Sequence, residues 1–234
     1  MNRKTSFATI GITAIITVAG TLALAQQPPS RTSPPKAPTA TPPPAGQQPH
    51  LPPGWTDSDM QACQMAGTPG EMQKRLTDSA GVWSGKNTMW MAPNTEPMKT
   101  SSSSTITPIM GGRFVKCEMS GDMPEGPFNG FGLYGYDNVT QKFQCCWIDN
   151  MSTTIMNGTG ELSSDGKTMT WKYNYTCPIT KKPVTMREVQ HTTGKDTRTL
   201  EMFTTDPKSG QEFKMLEIAL TRTGGATAAA NTND

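Results

Sequence analysis

A chain of 234 residues has room for one ordinary domain with appendages, and its 21 basic and 19 acidic side chains nearly cancel. No run of either sign stands out, which excludes nucleic acid and anionic lipid as partners. Five cysteines and two histidines in no zinc-like spacing exclude a structural zinc site.

Residues 1–25 read as an export signal. Arg3 and Lys4 open it, an apolar run from Phe7 to Ala25 follows, and Ala23-Leu24-Ala25 gives the small-x-small ending. A retained membrane anchor is the rival reading, because a run of about 19 residues can just span a bilayer. The Thr and Gly within the run favour cleavage after Ala25. The mature protein is then expected in the periplasm or outside the cell, with no membrane attachment and 19 charges of each sign.

Residues 26–54, "QQPPSRTSPPKAPTATPPPAGQQPHLPPG", hold 11 prolines and only Arg31 and Lys36 as charges. Such a segment cannot bury a core and reads as a disordered spacer in extended polyproline conformations. Residues 55–80 read as helical. The earlier part, "DSDMQACQMAG", predicts a short helix ending at Gly67. The later part opens on "TPGE", where Thr68 can cap, Pro69 suits the first helical position and Glu71 completes a capping box. Met72 and Leu76 share one face, and Gly81 stops the helix.

After Gly81 short runs of β-branched, aromatic and Met residues alternate with turn signals. Ten strands are predicted, at 82–91, 99–109, 112–120, 128–136, 142–149, 153–162, 167–175, 183–192, 196–204 and 212–222. "YDNVTQ", "SSDGK", "TGKD" and "DPKSGQ" supply hairpin chemistry between them. No connection is long enough for a crossover helix, so neighbours pair antiparallel. The expected fold is all-β: an up-and-down barrel of about ten strands over 81–223, with a short N-terminal helix and a flexible tail over 224–234. A sandwich is the alternative.

The strand parity gives inward candidates. Met169, Trp171, Tyr173 and Tyr175 share a face opposite Thr168, Thr170, Lys172 and Asn174. In "QCCWIDNMST" Phe143, Cys145 and Trp147 fall inward while Cys146 and Ile148 face out, and Asp149, Asn150 and Ser152 fit a turn. A bond between Cys145 and Cys117 is a further expectation.

"GVWSG" resembles the Gly-x-Trp that opens the first strand of lipocalin-like barrels, here Gly81 and Trp83. Arg222 resembles the basic residue that closes such barrels over that indole by a cation–π contact. "MGGRF" (110–114), "GYDN" (135–138), "WIDNMST" (147–153), "KPVTMRE" (182–188) and "MLEIALTRT" (215–223), in this order, are similar to the DUF1579 family of lipocalin-like bacterial proteins. The resemblance covers about 81–223 and implies the fold while assigning no activity. The five cysteines and the proline-rich arm have no counterpart in the family pattern.

For function, a Ser or Cys hydrolase needs an imidazole beside its nucleophile. Only His191 lies within the domain, at a strand end where a surface position is the ordinary explanation. Glu188 and Glu201 can face each other across neighbouring strands, but like charges on a sheet read as solvated positions. The chain therefore reads as no enzyme. Sixteen methionines raise copper(I), yet they are scattered one or two per strand and read as adaptable filling; no metal or cofactor is implied. A small apolar molecule inside the barrel remains, met by Met89, Met91, Trp147, Met156, Met169, Trp171, Tyr173 and Met202. Arg187 can anchor a carboxylate there, or lie outside paired to a neighbouring Glu. The competing reading is an interaction protein of the cell envelope with a filled barrel.

Overall fold

Residues 51–123 and 126–225 are described by the computed structural model. The export signal, nearly all of the proline-rich arm and most of the tail lie outside the described residues.

Thr56 starts the first helix, α1 (Asp57–Gly67), with a reciprocal cap. Its hydroxyl accepts from Asp59 N at 3.3 Å, and its own N–H donates to Asp59 Oδ2 at 2.7 Å. The second helix, α2 (Glu71–Thr77), is capped differently from the sequence expectation. Thr68 spends its hydroxyl on Gln64 O, closing α1 at 2.6 Å. Gly70 N donates instead to Gln73 Oε1 at 2.8 Å, so the back-bonding side chain is Gln73 rather than Glu71. Gln73 and Leu76 are the buried residues of α2.

Ten strands follow: β1 (Gly81–Met89), β2 (Met98–Ile109), β3 (Phe114–Met123), β4 (Gly126–Asp137), β5 (Lys142–Asp149), β6 (Met156–Leu162), β7 (Thr168–Thr176), β8 (Pro183–Gly194), β9 (Thr197–Thr205) and β10 (Glu212–Gly224). Each pairs antiparallel with its neighbours in chain order, and β1 pairs with β10 to close the barrel. Closure removes both sheet edges, which is why no strand needs an outside cover. β3 starts two residues later than its hydrophobic run suggests. Met110–Gly112 wind a short 3₁₀ turn, with positive φ at Met110, Gly111 and Gly112. β6 starts three residues late because Asp149 and Ser152 organise a wider turn, accepting from Met151 N and Thr154 N.

The two helices cover the end where odd-numbered strands begin. Leu76 packs into a cluster with Val115, Phe143, Cys145, Trp171, Tyr173 and Met186. Gln73 donates to Tyr136 O at 3.0 Å, and Arg75 to Gly166 O at 3.2 Å. Beside them Trp83 is 1% exposed, its Nε1 donating to Ser79 O at 3.0 Å. Arg222 crosses from β10 with its guanidinium 4.4 Å from the Trp83 ring, and Arg198 of β9 lies 4.3 Å from the same ring. Arg222 also donates to Asp78 O at 3.0 Å and to Ala80 O, tying the end of α2 to the barrel.

Inner glycines make room for rings. A Cβ at Gly160 would stand 2.7 Å from the Trp171 ring, and one at Gly130 would stand 2.3 Å from Trp147. Gly130, Gly132, Gly158 and Gly160 are therefore spaces for the side chains of the inner face.

Candidate binding site in the barrel interior

Inward positions follow from the register. Trp171 on β7 stands opposite Glu188 on β8, and Glu188 stands opposite Met202 on β9. Met202 faces Leu216, and Leu216 faces Met89. On the other side Trp171 faces Gly160, then Phe143 and Tyr136. This line of side chains runs obliquely along the barrel, from Tyr136 beside the helices to Met89 at the far end of β1, with Glu188 midway as its charged member.

Glu188 is 5% exposed, and among the described residues no cation pairs with it. Its Oε2 accepts from Tyr173 OH at 3.3 Å and its Oε1 accepts from Gln190 Nε2. Tyr134 of β4, Cys117 of β3 and Cys145 of β5 complete its titratable surroundings. From β9 it meets Leu200 and Met202, which do not titrate. Burial pushes the Glu188 carboxyl up to about 7, against the opposing pull of the Gln190 and Tyr173 bonds. Burial likewise raises Cys117 and Cys145 to about 12 and holds both tyrosines well above their ordinary range. Near neutral pH this group can bind a cation when ionised, donate a hydrogen bond when protonated, and exchange a proton with a bound molecule.

The interior is not evenly filled. Tyr134, Trp171, Phe143 and Tyr136 stack edge to face toward the helices, with centroids 4.8–6.2 Å apart. Toward the opposite end the inward side chains Met119, Trp147, Met156, Tyr175, Met202 and Leu216 remain partly exposed although they line the inside of a closed wall. Among the described residues no helix lies over that end. Exposure on an inner face means open space, and here it is lined by thioethers and rings.

The site residues named from sequence divide accordingly. Met89, Trp147, Met156, Trp171, Tyr173 and Met202 face inward at or beyond mid-height. Met169 faces inward at the helix-covered end, beside Leu162. Met91 does not join them: it lies past the end of β1 and is 66% exposed. Arg187 is not an interior anchor. It faces outward, paired with Glu212 at 3.2 Å and lying 4.0 Å from the Phe203 ring. Glu188 and Glu201 do not face each other, since Glu201 pairs in register with Val189 and points outward to Lys214 at 2.9 Å. His191 bonds Thr168 on the outer face at 2.9 Å.

Cys117 and Cys145 do not bond. All five cysteines are free, and β4 runs between these two strands. Two strand spacings make roughly 9.5 Å, beyond the reach of a disulfide. Glu188 is the residue that sequence reasoning missed. Its parity with Met186 was the available signal, but a lone acidic residue in "VTMREVQH" resembles a solvated position.

A shallow groove of about 590 Å³ also lies on the outer wall, over Thr105, Glu118, Phe131 and Ile148. Glu118 there is paired with Lys116 at 2.9 Å.

The sequence matches the family described as "Protein of unknown function (DUF1579)" over residues 68–222. No curated protein matches it in sequence. Among solved structures it is similar to Rv2717c from M. tuberculosis, at 14% identity and a TM-score of 0.52, covering 67% of this chain and 99% of that one. It is also similar to the S-type phycobiliprotein lyase CPES from Guillardia theta, at 10% identity and a TM-score of 0.49, covering 65% and 92%. The expectation that the chain is no enzyme is withdrawn, because a structure titled a lyase stands among these similar structures. That likeness carries no particular reaction to this chain.

Proposed function

Taking as premise that this chain belongs to the DUF1579 family, whose description assigns no function, we propose that it binds a small, largely apolar molecule inside the barrel. One observation carries this reading. Trp147, Met156, Met202 and Leu216 keep partial exposure on the inner face of a closed wall, above a buried carboxyl that can orient a guest. Methionine suits such a wall because its flexible thioether adapts to the guest's shape. The helix-covered half, packed around Trp171, forms the floor.

Native mass spectrometry of protein purified from its own host tests the reading. A bound small molecule released by denaturation is the expected result. A protein that carries nothing and keeps its melting temperature with a panel of apolar ligands would sink it. Export is part of the same proposal and rests on the signal-like residues 1–25. Its check is the intact mass of the cellular protein, which should lack those residues.

A further inference from the structure

The interior is electrically polarised along its axis. Arg198 and Arg222 sit at the helix-covered end, both against Trp83. From mid-height to the open end, the inward charged positions among the described residues are Glu188 and Asp149 alone, and both are acidic. The basic side chains of that half, such as Arg187 and Lys214, point outward to Glu212, Glu201 and Glu217.

Glu188 itself is left without a countercharge. A carboxylate offers about four acceptor sites, and Tyr173 and Gln190 occupy two. An ionised carboxylate cut off from water costs free energy until a cation approaches it. Around it stand the rings of Tyr134, Tyr173 and Trp171, with Trp147 nearer the open end. Aromatic faces attract cations and do nothing for anions. A guest with a carboxylate head would meet Glu188 and Asp149 as like charges, which selects against it.

We propose that the interior site takes an organic cation: a small apolar molecule bearing one ammonium, held against Glu188 with its hydrocarbon part along the Met and aromatic wall. This rests on the interior-binding reading above and adds the chemical class of the guest. The ammonium supplies the charge that the fold withholds from Glu188, and the thioethers of Met186 and Met202 close around the carbon chain.

Calorimetric titration of the full chain with octylamine, octan-1-ol and octanoate tests it, since the three share one chain and differ in the head. At pH 8 octylamine is expected to bind about ten-fold or more tighter than octan-1-ol, with octanoate weakest. Glu188→Gln should abolish the preference, so that octylamine and octan-1-ol bind the folded variant with equal affinity. Because that variant alters a buried group, the wild-type protein provides a second measurement. Its preference for the amine over the alcohol should shrink as the pH falls to 5 and Glu188, facing only the neutral Tyr134, Tyr173, Cys117 and Cys145, takes up a proton. Octan-1-ol or octanoate binding as tightly as octylamine overturns the cation assignment and leaves interior binding standing. An amine preference that survives in folded Glu188→Gln overturns it too. If none of the three binds, the interior-binding reading falls and takes this proposal with it.

Discussion

Tyr173 OH donates to Glu188 Oε2 at 3.3 Å inside a closed barrel, and no cation among the described residues shares that carboxylate. A carboxyl so placed must register in the pH dependence of stability. Its value rises from an unfolded 4.5 to about 7 in the folded protein, so between these values the folded state holds more proton. Stability therefore falls as pH rises through that window and is fully retained below it. The contribution lost between pH 4.5 and pH 8 is about 3 kcal/mol. Urea denaturation of wild type and Glu188→Gln at both pH values should show this slope in the first and not in the second. Equal slopes would mean that Glu188 is solvated.

Arg222 serves as the bolt of the helix-covered end. It touches Trp83, Ala80 O and Asp78 O, and its Nε lies 3.1 Å from Asp196 Oδ1 without hydrogen-bond geometry. Arg222→Ala should cost about 2–4 kcal/mol, and Arg222→Lys should recover little, since an ammonium cannot make the fork. Thermal denaturation of both variants checks this. A lysine variant as stable as wild type would reduce Arg222 to a point charge.

Arg187 makes the opposite case. Its ion pair with Glu212 is on the outer wall, where such pairs contribute about 1 kcal/mol or less. Arg187→Ala should change the melting temperature slightly and leave any interior ligand's affinity intact. A large loss of affinity would place the guest outside the barrel.

Gly160 faces the Trp171 ring, where a Cβ would stand at 2.7 Å. Gly160→Val should overpack the floor and destabilise by about 1–3 kcal/mol. Chemical denaturation reads it directly, and a neutral result would show that Trp171 has room to move.

Thiol counting separates the cysteines. Cys117 and Cys145, both facing the interior and raised to about 12, should resist a thiol reagent in the native state. All five cysteines should react once the chain is denatured without reductant. A shortfall after denaturation would reveal a disulfide.

Much of this architecture is written locally. Turn chemistry such as Asp137 accepting from Val139 N and Thr140 Oγ1 marks hairpins in sequence. Period-two alternation on β7 assigns Trp171 and Tyr173 to the inner face, because successive strand residues must point to opposite sides. The cap of α2 was less legible. Thr68 and Gln73 can each satisfy a helix end, and the choice depended on Thr68 already closing α1.

The sequence by itself determined the ten-strand antiparallel plan and the parity of most of its side chains, since both follow from short-range rules of turns and pleats. Only the tertiary structure decided which charges end up inside. Arg187 and Glu188 are adjacent in sequence, so parity sends one of them inward, but polarity alone cannot say which. The pairing of β8 with β7 and β9 settled it. The register that aligns Met202, Leu216 and Met89 on the inner wall carries Glu188 in with them and turns Arg187 out to Glu212.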